Sequence, residues 1–139
     1  MIQLIVGNKG KGKTTQLLNK VNEDIKQVAG NIVYLDKNSK HMYELNNKIR
    51  LINVTEYGIN NADEFVGFIM GIISQDHDLQ EICLDNFLTL TNLEDKDYSV
   101  VLNKIRSISE AYNIRIVISL SVSGDELAAD FKNDVIISL

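Results

Sequence analysis

The sequence predicts an α/β domain, with a mostly parallel sheet covered by helices on both faces. Short β-like runs alternate with helix-periodic segments along the whole chain. Several of those runs are too apolar for a one-sided strand, as strands buried inside a parallel sheet are. The 139 residues, 45% of them apolar, suffice for one hydrophobic core, so residues 1–139 are expected to form a single domain.

Met1–Val6 (MIQLIV) reads as a buried parallel strand. Thr14–Ala29 places Leu17, Leu18, Val21, Ile25 and Val28 on one helical face, with Gly30 positioned to cap its end. Asn31–Asp36 (NIVYLD) is the next strand. Ser39–Asn47 reads as a short helix capped by Ser39, and Ile49–Val54 as a short peripheral strand. Asn61, with Glu64 three residues on, resembles a capping box that opens a helix through about Gln75. That helix buries Phe65, Val66, Ile69, Ile72 and Ile73. Glu81–Asp85 (EICLD) is a strand. Tyr98, Val101, Leu102, Ile105, Ile108 and Tyr112 form a helical stripe that ends at Asn113. Ile114–Leu120 is a strand, Gly124–Lys132 a short helix and Asp134–Leu139 a final strand.

Fourteen Lys and Arg against nineteen Asp and Glu leave a net charge of −5, which argues against a broad nucleic-acid-coating face. One cysteine excludes an internal disulfide, and the two isolated histidines do not make a metal centre. No apolar run approaches the ~20 residues needed to cross a bilayer. No basic-then-apolar leader opens the chain, so a reducing cytoplasmic setting is expected, without membrane insertion.

The informative segment lies between the first strand and the first helix: Gly7-Asn8-Lys9-Gly10-Lys11-Gly12-Lys13-Thr14. It fits G-x-x-x-x-G-K-[ST] in the strand-to-helix setting that pattern requires. Glycines let the backbone curl so that successive N–H groups face an anion, and the helix start adds the positive end of its dipole. Lys13 then reaches the β- and γ-phosphates, Thr14 ligates Mg²⁺, and Thr15 caps the α-phosphate.

On these residues the chain resembles the P-loop NTPase superfamily. Ile82-Cys83-Leu84-Asp85 looks like a Walker B strand, whose closing acid faces the crevice and holds Mg²⁺. The run from Glu81 to Ser121 resembles the RecA-like branch. That resemblance implies a three-layer sandwich with a mostly parallel five-stranded sheet of order 5-1-4-3-2, and segment 49–54 as an extra short edge strand. Other branches fit less well. No N/T-K-x-D guanine motif follows residues 114–120, and Asn8 stands where MinD-like ATPases carry a lysine. The three arginines, Arg50, Arg106 and Arg115, are too scattered for the arginine-rich lid of a small-molecule kinase.

Hydrolysis needs a group to orient and deprotonate water. Asn86 occupies the position after the Walker B acid, where many relatives place a glutamate, and it cannot serve. The resemblance moves the base to the end of the second strand, at Asp36, which reads equally as a turn residue beside Lys37-Asn38. Ser119 and Ser121 lie where relatives place a γ-phosphate sensor. Strand phase decides between them, and Ser121 is taken for that role. No arginine finger is identifiable, so a cation from a neighbouring subunit is expected if turnover is fast.

The expected function is that of a minimal Mg²⁺-dependent ATP-binding protein with weak ATPase activity, assembled with itself or with a protein partner. The alternatives are a non-hydrolysing nucleotide switch, or a nucleic-acid-dependent motor that lacks a basic, aromatic-bearing loop. His41 and His77 read as surface residues, Cys83 as an inert core thiol, Phe87 as core, and residues 94–97 as a solvated helix lead-in.

Overall fold

A computed structural model describes residues 1–139. The elements are β1 (Ile2–Val6), α1 (Lys13–Asp24), β2 (Asn31–Asp36), β3 (Ile49–Asn53), α2 (Ala62–Gln75), β4 (Leu79–Leu84), α3 (Phe87–Leu90), α4 (Ser99–Tyr112), β5 (Arg115–Leu120) and β6 (Val135–Ser138). All strand pairs are parallel.

The sheet has six strands rather than the expected five. Its full order, β3-β2-β4-β5-β1-β6, therefore differs from 5-1-4-3-2, and the difference is the strand at one edge. β3 runs beside β2 in unbroken register, from Ile32↔Ile49 to Asp36↔Asn53. Its alternating Ile49, Leu51 and Ile52 contribute to the packing on both sheet faces. With β4 on its other side, β2 has its backbone polar groups paired along both flanks, which lets residues 32–36 be buried without orphaned donors.

The period of two along each strand divides the core. Ile5, Ile32, Tyr34, Cys83 and Val117 face α1 and pack on Leu17, Leu18, Val21 and Ile25. Leu4, Val33, Leu35, Ile82, Ile116 and Ile118 face α2 and α4, in the larger of two apolar clusters. No helix is long and apolar enough to cross a membrane.

Several expected boundaries move. α1 stops at Asp24, not near Ala29, because the following turn tightens: Lys26 N–H bonds Glu23 O and Gln27 N–H bonds Asp24 O. Gly30 is not its cap. It is a close-approach position, where a Cβ would fall 2.0 Å from the Asp78 carbonyl oxygen. Segment 39–47 forms only a 3₁₀ turn at Met42–Glu44, with no side-chain cap from Ser39. The expected helix at 124–132 is replaced by a turn and a 3₁₀ segment, Ala129–Asp134. Phe131 is buried there, with Arg106 stacked 4.9 Å over its ring and paired with Asp134. At α2, Glu64 N–H donates to Asn61 Oδ1 at 2.8 Å, as expected. The returning carboxylate accepts from Asn60 N–H instead of closing onto Asn61.

At the end of the sheet where β4 and β5 begin, Glu81 is buried beside Asp24 of α1. It accepts from Arg115 Nη1 at 3.2 Å, and Lys20 pairs with Asp24. Burial, and then hydrogen bonding and repulsion from Asp24, push the Glu81 carboxyl up to about 7. Between about pH 4.5 and 7 the folded chain holds a proton that the unfolded chain has released, so this group's contribution to stability falls as pH rises through that window. Urea unfolding at pH 5 and pH 8 should show wild type losing about 2–3 kcal/mol through this group. Glu81→Gln should show markedly less loss; an unchanged difference refutes the shared proton.

Candidate functional site

The loop Gly7–Gly12 joins β1 to α1 at the carboxyl end of the sheet. Gly7 N–H bonds Val122 O at 2.9 Å, which ties the loop to the chain beyond β5. Gly10 and Gly12 have φ of 83° and 94°, in the left-handed region that side chains resist, and Gly12 immediately precedes α1. Lys9, Gly10, Gly12, Lys13, Thr14 and Thr15 line a cleft of about 380 Å³. Gly7, Asn8 and Lys11 lie outside its wall, where Lys11 N–H closes the turn onto Asn8 O. Lys13 is buried and donates from Nζ to Asn8 O at 3.1 Å. Burial lowers the Lys13 pKa, opposed by the nearby Asp85 charge.

Asp85 forms the opposite wall. Its Oδ1 accepts from Thr14 Oγ1 at 3.2 Å and from Ser119 Oγ at 2.9 Å. Its Oδ2 accepts from Tyr34 OH at 2.8 Å. Burial and the Asp85 charge raise the Tyr34 pKa, so Tyr34 stays a phenol and remains a donor. Asn86 N–H in turn donates to Ser119 Oγ at 2.7 Å. Asn86 sits at φ 64°, a conformation that asparagine tolerates far better than glutamate does, which gives a local reason for its presence after Asp85.

Asp36 ends β2 and borders a smaller cleft of about 140 Å³. That cleft shares Thr14, Lys37, Asp85 and Asn86 with the larger one. Asp36 is 3% exposed; Oδ1 accepts from Lys37 N–H at 2.7 Å and Oδ2 has no partner. Burial, then repulsion from Asp85, raise its pKa. A carboxylate with one free oxygen beside the loop has the chemistry of a proton acceptor.

Ser121 lines the main cleft just beyond β5, while Ser119 is the serine bonded to Asp85. The structure thus brings Lys13, Thr14, Thr15, Asp85 and Ser121 to one cleft, with Asp36 on the adjoining one. Thr14 Oγ and Asp85 Oδ1 form a hard-oxygen pair of the type that holds Mg²⁺ when phosphates and water supply the remaining ligands. Neither Arg106 nor Arg115 is free to serve this cleft: one is held by Asp134 over Phe131, the other by Glu81 at the far end of the sheet.

Three contributors escape a sequence reading. Tyr34 looks like an ordinary core aromatic; its phase on β2, shared with Asp36, is the only signal. Ser119, weighed with Ser121 for the sensor role, lines the cleft, and what the sequence does not show is its bond to Asp85. Glu94, within the acidic run, lines the cleft with its carboxylate accepting from Thr89 Oγ and 3.9 Å from Lys9 Nζ.

Tyr34→Phe keeps the packing but removes the donor to Asp85 Oδ2. The expected cost in urea unfolding is about 1.5–3 kcal/mol, the range for a buried hydrogen bond to a charged group. Tyr57→Phe, on an exposed ring, should stay within about 0.5 kcal/mol. Equal effects would remove the Tyr34–Asp85 bond from the account.

No protein-family model matches this chain, and no curated protein sequence matches it.

Proposed function

We propose that the protein binds Mg²⁺-ATP in the Gly7–Thr15 cleft and hydrolyses it slowly to ADP and phosphate. The carrying observation is the convergence of Lys13 and Thr14, at the N-terminus of a twelve-residue helix, with Asp85 on a wholly polar cleft. Backbone N–H groups and the helix dipole favour the phosphates, and Lys13 exchanges the Asn8 carbonyl for β- and γ-oxygens. Thr14 and Asp85 are the residues to hold Mg²⁺, which supplies charge neutralisation on the phosphates when bound. Asp36 accepts a proton as water oxygen attacks the γ-phosphorus. The bond from that phosphorus to the β–γ bridging oxygen breaks, and ADP keeps the electron pair. Ser121 is positioned to sense the γ-phosphate.

A second reading is a nucleotide-dependent switch that does not turn over. Asn86 in place of a glutamate, and the engagement of Arg106 and Arg115 elsewhere, favour it. In the hydrolytic reading a partner chain, or a second copy, supplies the missing positive charge when turnover is fast.

Isothermal titration and phosphate release at saturating Mg²⁺-ATP separate the roles. Lys13→Ala should weaken ATP binding by about 10- to 100-fold, as the loss of a charge-assisted hydrogen bond implies. Asp36→Asn should bind ATP within about threefold of wild type yet lose about 10²- to 10⁴-fold in rate. Unchanged affinity in the first variant refutes the phosphate cradle. No release from wild type at any protein concentration, despite tight binding, leaves the switch.

A further inference from the structure

Base recognition in a nucleotide site needs a flat apolar or aromatic wall for the ring face, or fixed polar groups for the ring edge. The main cleft has neither. None of its thirteen lining residues is hydrophobic, and the adjoining cleft beside Asp36 is equally polar. Its volume, about 380 Å³, lies near the small end of ligand sites.

The aromatic side chains are committed elsewhere. The chain has five tyrosines and four phenylalanines, and none lines either cleft. Tyr34, Phe65, Phe87 and Phe131 are sealed in the core. Tyr98 packs against Phe131, and Tyr57 pairs with Phe68. Tyr43 and Tyr112 are exposed but stand outside the crevice.

The polar groups that could read a ring edge are either engaged or not held in place. Both oxygens of Asp85 accept from Thr14, Ser119 and Tyr34, and the Glu94 carboxylate is engaged by Thr89 and approached by Lys9. The Asn86 side-chain amide and the Thr15 and Ser121 hydroxyls line the cleft with no hydrogen bond to fix their direction. The cations that remain, Lys9, Lys13 and Lys37, are ammonium point charges, suited to phosphate oxygens and indifferent to a donor–acceptor pattern.

We infer that this cleft reads the triphosphate alone, so that its substrate class is any nucleoside triphosphate rather than ATP in particular. The inference rests on the nucleotide reading proposed above and narrows it: the chain supplies phosphate recognition, and discrimination among bases falls to whatever binds over the open mouth of the cleft.

The test is a set of titrations of the full chain with ATP, GTP, CTP, UTP and inorganic tripolyphosphate, each with Mg²⁺, with adenosine as the base-only control. The four nucleotides should bind within about threefold of one another and tripolyphosphate within about tenfold of them, with no measurable binding of adenosine. Lys13→Ala should weaken all five ligands by a similar factor. A preference of tenfold or more for one base, about 1.4 kcal/mol, overturns the inference while leaving the nucleotide site intact. Adenosine binding as tightly as ATP overturns it too. Failure of every ligand, tripolyphosphate included, removes the nucleotide reading itself and this inference with it.

Discussion

The Asp85 carboxylate holds together the end of the sheet on which any chemistry depends. It accepts from a hydroxyl on α1, a phenol on β2 and a serine on β5, and it stands just beyond β4. Burying polar oxygens without partners would cost several kcal/mol, and three donors from three elements satisfy the two of Asp85. Because each donor belongs to a different element, the same contacts fix the relative positions of α1, β2 and β5. The Gly7–Gly12 loop leads from β1 into one of these anchored pieces, α1, and Gly7 N–H ties its other end to Val122 beyond β5. The geometry of the loop is therefore inherited from the core.

Asp36 completes the arrangement by contrast. It shares a sheet face and a cleft with Asp85 but has one backbone donor and one orphan oxygen. Asp85 is saturated, which suits a group that orients other ligands. Asp36 is under-satisfied and its proton affinity is raised, which suits a group that exchanges protons. The raised proton affinity of Asp36 comes first from burial and then from the neighbouring Asp85 charge.

Much of this was legible in the sequence because it rests on local chemistry. Glycines at positions 7, 10 and 12 mark the tight loop between β1 and α1 without reference to the rest of the chain, and Asn61–Glu64 marks the start of α2. The helical stripe from Tyr98 to Tyr112 likewise gives α4 to within a residue, closed by Asn113 at φ 52°. What escaped is non-local. The edge strand's full pairing with β2 and the 3₁₀ segment over Phe131 are decided by contacts between distant residues. Tyr34 and Ser119 belong to the same class. Nothing in the neighbouring letters says that each hydroxyl finds the same carboxylate fifty-one or thirty-four residues away.

The two ends of the sheet show why one end is suited to bind and the other is not. Each has a pair of acids on the α1 face: Asp36 and Asp85 where the strands finish, Asp24 and Glu81 where β4 begins. At the starting end, Lys20 and Arg115 lie within 3.6 Å of the acids, two cations set against two carboxyls within the chain. At the finishing end, Lys13 is bonded to a carbonyl rather than to an acid, and the Asp85 charge is met by neutral hydroxyls. Lys13 and Lys37 line the same clefts as these acids without an ion pair to either. That open balance is what the proposed Mg²⁺-triphosphate ligand would satisfy on both walls. The contrast between the two ends lies in pairing: ion pairs hold Asp24 and Glu81, whereas hydroxyls and one backbone N–H hold Asp85 and Asp36.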